Sequence, residues 1–83
     1  MPTIAILNSN IIIRIYFNDH NPPHIHAQYA EYEASFDLKG KVLKGKLPKR
    51  QQNFVSAWIA LNTEAIQANI ENIKAGIPPI RLS

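Results

Sequence analysis

The hydrophobic period of this 83-residue chain changes once, near Pro48. Before that point apolar and polar residues alternate with the period of two expected of strands that bury one face; after it, apolar residues recur at helical spacing. Thr3 to Leu7 reads as a short strand closed by the turn-prone Asn8-Ser9-Asn10. Ile11 to Phe17 is the clearest strand, with Ile11, Ile13, Ile15 and Phe17 on one face and Ile12, Arg14 and Tyr16 on the other. Asn18 to Pro23 is expected to leave the sheet, because paired prolines cannot sit in a central ladder. His24 to Ala30 resumes the alternation, with Ile25, Ala27 and Tyr29 inward and His24, His26 and Gln28 outward. From Glu33 to Leu38, Ala34, Phe36 and Leu38 point in, and Glu33, Ser35 and Asp37 point out. A last strand, Lys41 to Lys44, stops near Gly45. If Glu31 and Tyr32 form the connection, His26 lies opposite Asp37 and Ala27 opposite Phe36. A slip by two residues preserves the facing and changes only the partner of His26, whereas a slip by one would bury the histidines.

From Phe54 onward, Phe54, Val55, Trp58, Ile59, Leu61, Ile66, Ile70 and Ile73 fall within one half of a helical wheel, with Asn62 and Asn69 intruding. Pro48 suits a first turn, and Gly76 before Pro78-Pro79 suits a stop. Unbroken, about 27 residues would stretch roughly 40 Å, long for so small a domain. Either the helix breaks near Asn62-Thr63, with Asn62 capping a second segment, or its end overhangs. Strands followed by helix define an α+β fold: a small, mostly antiparallel sheet of three to five strands, one face covered by a C-terminal helix, either one long helix or two consecutive ones.

Composition narrows the class. The length supports one domain over residues 1–83, β-rich over 1–47 and helical over 48–77. Hydrophobic content of 46% and charged content of 18% place it among globular chains. With no cysteine, disulfide scaffolds, thiolate zinc sites and cysteine nucleophiles are excluded. No apolar run approaches the roughly 18–20 residues of a membrane span, and no basic leader precedes the first strand, so a cytoplasmic protein with no membrane partner is expected.

The candidate chemistry is concentrated. All three histidines lie within Asp19-His20-Asn21-Pro22-Pro23-His24-Ile25-His26. On a strand, His24 and His26 project to the same side about 6.6 Å apart, close enough to converge on one ion or flank one anionic group. His20, His24 and His26, with Asp19 or Asp37, form a permissive metal set without a specific signature. Alternatively two histidines near neutral pKa exchange protons with a substrate, oriented by Asp37 or Asp19. A third reading leaves them as surface residues of a turn. Beside them, six of the nine cations (Lys39, Lys41, Lys44, Lys46, Lys49 and Arg50) form a segment without an acid, suited to phosphates or to protecting a sheet edge. Lys49 and Arg50 at a helix start oppose its dipole unless an anion is present.

The run Ile13-Arg14-Ile15-Tyr16-Phe17-Asn18-Asp19-His20-Asn21-Pro22-Pro23-His24-Ile25-His26-Ala27 resembles the hallmark of the domain of unknown function 4160 family. The resemblance extends through Met1-Pro2-Thr3-Ile4, Val42 to Pro48, Trp58 and the terminal helix. It implies a small prokaryotic protein, often encoded beside a partner of the domain of unknown function 2442 family, in the toxin position of a type II toxin–antitoxin pair. Asp19, His20, Pro22, Pro23, His24 and His26 carry over as motif positions, and the resemblance assigns no reaction to them.

The expectation is therefore a toxin-like protein that acts on RNA or translation and is neutralised by its partner. A metal-free, cofactor-free transesterification would use His24 and His26 for proton transfer, with His20 as alternate and Asp37 as orienting carboxylate. Lys39, Lys41 or Arg50 would stabilise phosphorane charge, and Asp19, Asn21, Pro22, Pro23, Lys44, Lys46 and Lys49 would complete the binding surface. The alternatives are a non-enzymatic protein-interaction module and a small divalent-metal-binding domain; a homodimer is a further expected partner state.

Overall fold

The computed structural model describes residues 3–18 and 21–82. Asp19 and His20, both candidate site residues, lie outside the described residues. Five strands form one antiparallel sheet in chain order: β1 (Thr3–Leu7), β2 (Ile11–Asn18), β3 (Asn21–Tyr29), β4 (Tyr32–Phe36) and β5 (Val42–Lys46). Two helices follow, α1 (Lys49–Leu61) and α2 (Thr63–Lys74). The α+β architecture expected from the change of period is the one observed.

Alternation sets the two faces. Ile11, Ile13, Ile15, Ile25, Ala27, Ala34 and Phe36 are buried beneath the helices, where Val55, Ile59, Ile66 and Ile70 meet them in a single core. The opposite face carries mostly polar side chains, with Ile6 and Ile12 at its β1–β2 end. Each fully buried isoleucine or phenylalanine contributes roughly 1.5–3 kcal/mol by leaving water, so this layer dominates stability.

The β3–β4 register is two residues away from the one expected. His26 pairs with Ser35, Ala27 with Ala34 and Ile25 with Phe36, because the turn is Ala30-Glu31 rather than Glu31-Tyr32. Ala30 takes φ 51°, a left-handed conformation that a non-glycine residue seldom adopts and that its sequence does not advertise. The facing is unchanged, as a two-residue slip requires.

Pro22 and Pro23 lie inside β3, contrary to the expectation that the chain leaves the sheet there. The reason is local: β4 ends at Phe36 opposite Ile25, so residues 21–24 have only β2 as neighbour, and a missing donor on the open side costs little. Likewise β5 runs through Gly45 instead of stopping at it. Gly45 has φ +75°, and a Cβ there would collide with the Glu33 carbonyl oxygen.

The helix breaks at Asn62. An unbroken rod of about 40 Å would exceed the molecule's longest dimension of 35 Å. Contrary to the expectation that it caps α2, Asn62 makes no side-chain cap there and instead closes α1: its Nδ2 donates to the Trp58 carbonyl at 2.8 Å while Thr63 Oγ1 donates to the Ile59 carbonyl at 3.0 Å. The break also removes Leu61 from the apolar stripe to which a continuous wheel assigns it; the side chain is 85% exposed, and Phe54 is exposed as well. Among the described residues no helix is long and apolar enough to cross a membrane.

Beyond α2 the chain returns to the sheet. Leu82 N–H donates to the Ile4 carbonyl at 2.7 Å, closing the β1 edge. Asn69, 1% exposed in the helical stripe, holds this segment through two hydrogen bonds with the Ile80 backbone.

Candidate functional site

The outer face of the sheet is organised by register. Arg14 on β2 pairs with His26 on β3, His26 with Ser35 on β4, and Ser35 with Lys44 on β5. Cation, imidazole, hydroxyl and cation therefore lie in one row across four strands, spanning about 14 Å at the usual strand spacing. The adjacent row runs Ile12, Gln28, Glu33 and Lys46. Gln28 Oε1 accepts from Arg14 Nη1 at 2.9 Å, which ties the guanidinium down beside His26.

His24 and His26 do face outward together. Their ring centroids are 5.0 Å apart, and their Nε2 atoms stand at 3.1 Å, within hydrogen-bond reach. Such a contact needs one protonated and one bare nitrogen. His24 Nδ1 lies 3.3 Å from the Pro22 carbonyl oxygen, so the proline segment positions that ring from behind. His26 Nδ1 faces Glu33 Oε1 at 3.8 Å. Burial and the neighbouring His24 hold the His26 imidazole below its ordinary range, against the opposing pull of Glu33. A neutral His26 that accepts at Nε2 carries its proton on Nδ1, pointed at the carboxylate.

Next to His26 the face dips. A depression of about 300 Å³ is lined by His26, Glu33, Ala34, Ser35, Lys44 and Gly45. Its rim sets a hydroxyl, an ammonium and an imidazole around the carboxylate of Glu33.

A family model described as Domain of unknown function (DUF4160) matches residues 10–71. The chain belongs to this family. Comparison with curated proteins and with solved structures gives no match. The DUF4160 span contains the whole Arg14–His26–Ser35–Lys44 row and both described histidines of the motif, and it leaves out β1 and the returning C-terminal segment.

Other residues named from the sequence are dispersed over the DUF4160 fold. Asp37 lies beyond the end of β4, not opposite His26. Its Oδ1 accepts from Lys39 N and Lys41 N at 2.9 Å each, closing the turn that leads to β5. Those hydrogen bonds hold its carboxyl below the usual carboxylate range. Lys39 and Lys41 are in that turn, while Lys44 and Lys46 are on β5. Lys49 and Arg50 form the first turn of α1, with no acidic residue there; Arg50 borders a hollow with Asn8, Ile11 and Phe54 in the helical layer. The basic segment thus divides between two layers, and only its β5 part joins the histidines. Sequence reasoning missed Arg14, Gln28, Glu33 and Ser35. Their outward positions were readable, but their grouping around His26 depends on the register of successive pairings. Among the described residues no cluster of three histidines or carboxylates is placed to hold a metal ion.

Proposed function

We propose that this DUF4160 protein is the toxin component of a prokaryotic toxin–antitoxin pair, acting in the cytoplasm on RNA through the outer face of its sheet. A partner protein of the domain of unknown function 2442 type neutralises it. The observation that carries the RNA reading is the row Arg14–His26–Ser35–Lys44. Two cations about 14 Å apart, flanking an imidazole and a hydroxyl, match phosphates roughly two nucleotides apart on an extended single strand, and Gln28 holds the guanidinium in place for one of them.

The same geometry modifies the chemistry expected of the histidines. In-line displacement at phosphorus puts the 2′-oxygen and the leaving oxygen on opposite sides, which two rings in mutual contact cannot serve as independent base and acid. One ring instead serves as the base once the Nε2–Nε2 contact opens and leaves a bare Nε2 to take the 2′-hydroxyl proton, with Lys44 beside the developing charge. The leaving oxygen takes its proton from another donor, for which His20 is the remaining imidazole of the chain. Purified protein is expected to bind single-stranded RNA in a salt-dependent manner, and to cleave it with a cyclic phosphate product. Arg14→Ala should weaken binding, and His24→Ala with His26→Ala should abolish cleavage and growth arrest together. Intact RNA, or undiminished toxicity of the double variant, rejects the catalytic reading.

A second reading rests on the 3.1 Å separation of the two Nε2 atoms. At ordinary zinc–nitrogen distances that separation gives an N–metal–N angle of roughly 100°, suitable for two ligands of a divalent ion. Elemental analysis of protein prepared without a histidine tag decides it: one equivalent of metal, lost in the double alanine variant, favours the metal site over the proton-transfer pair.

A further inference from the structure

The two edges of the sheet are treated differently. The β1 edge is covered by the returning C-terminal segment through Leu82 and Ile4. At the other edge, no strand among the described residues lies beyond β5, and Leu43, Lys44, Gly45 and Lys46 are all exposed. An uncovered edge is a template for another strand. Its charge says which: Lys41, Lys44 and Lys46 lie along it or just before it, with no acid from Leu38 through Arg50. A second copy of this chain would set lysines against lysines, which disfavours self-pairing. Leu43, 55% exposed, adds an apolar contact beside the cations.

We propose that β5 is the docking edge for an acidic, extended segment of a partner protein, which adds as a sixth strand along the rim of the depression that reaches to His26. Main-chain hydrogen bonds supply the pairing, and carboxylates at alternate positions meet Lys44 and Lys46 on the outer face. Because Lys44 and Gly45 line both the edge and the depression, outward side chains of the added strand meet the rim of the depression at Lys44. That this occupant is the neutralising partner rests on the toxin reading above; the docking itself does not.

The test uses the full chain and a capped peptide of alternating valine and glutamate, about seven residues long, the length of an ordinary strand. Titration of isotope-labelled protein is expected to shift resonances and slow amide exchange along Val42–Lys46. Substituting Lys44→Gln and Lys46→Gln together should weaken binding about tenfold, with an unchanged far-ultraviolet spectrum. A peptide of the same charge with a central proline should be weakened at least as much, since it cannot complete the ladder. Equal binding of the proline peptide, perturbations that map away from β5, or no binding at all would overturn the proposal. RNA is absent from this experiment, so its failure leaves the RNA reading standing, and success does not establish it.

Discussion

The Nε2 atoms of His24 and His26 stand 3.1 Å apart, so the two rings cannot both carry protons on those atoms without repulsion. Because His26 has its pKa lowered by burial and by His24, its proton is bound more weakly in the native chain than in the unfolded one. Its contribution to stability is then complete above the ordinary histidine value of about 6.5 and is lost as pH falls through and below it. Denaturant midpoints measured with a chelator present should fall between about pH 7 and pH 5, and His26→Gln should flatten that slope. In an NMR titration, His24→Gln should raise the His26 pKa. An unchanged slope in the His26 variant would assign the titration elsewhere.

Gly45 and Gly76 share nearly the same backbone, φ +75° and +77°, but differ in surroundings. A Cβ at Gly45 meets the Glu33 carbonyl oxygen and Ala34 Cα, whereas one at Gly76 meets nothing within 4 Å. Gly76→Ala should therefore cost only the left-handed penalty, about 1–2 kcal/mol. Gly45→Ala adds a backbone collision between β4 and β5 and should exceed about 3 kcal/mol. Chemical denaturation of the two variants separates strain from crowding; equal losses would mean that β5 can move away without penalty.

These contrasts show what the residues of the chain disclosed and what they withheld. Facing was legible because the pleat fixes a period of two, so His24 and His26 could be placed outward from alternation with Ile25 and Ala27. Register was not, because it turned on Ala30 adopting a left-handed φ with no glycine or asparagine to announce it. The prolines of the motif misled for a similar reason: the rule against proline in a ladder applies where both neighbours are present, and β4 stops short of Pro22 and Pro23. Asp37 followed from the misplaced register, and Glu33 occupies the role beside His26 that Asp37 was expected to fill.

The break at Asn62 divides the helical stripe into residues that meet the sheet and residues that do not. Ile59 is completely buried in the last turns of α1, and Leu61, two positions on, is almost fully exposed. Ile59→Ala should cost about 2–5 kcal/mol, and Leu61→Ala close to nothing. Trp58 is only partly buried against the core, so Trp58→Ala should fall at or below the low end of the roughly 3–5 kcal/mol typical of a buried tryptophan. Thermal or denaturant unfolding of the three variants checks the order; a large loss at Leu61 would indicate that α1 and α2 run on as one helix.

Asn69 gives the sharpest test of how the C-terminal segment is held. A polar residue in an apolar stripe reads as a flaw that leucine would repair. Here its amide donates to the Ile80 carbonyl at 2.8 Å and accepts from the Ile80 N–H at 2.6 Å, satisfying the two peptide groups that flank the Ile80 Cα. Asn69→Leu fills a similar volume but leaves both Ile80 groups without these partners, so the substitution should destabilise by about 2–4 kcal/mol despite the gain in hydrophobicity. Asn69→Ala should be at least as costly, because it adds a cavity. In both variants the Leu82 amide, which donates to Ile4, should exchange faster than in the parent while amides of β3 are less affected. A stabilising Asn69→Leu substitution would mean that the returning segment contributes little to the fold.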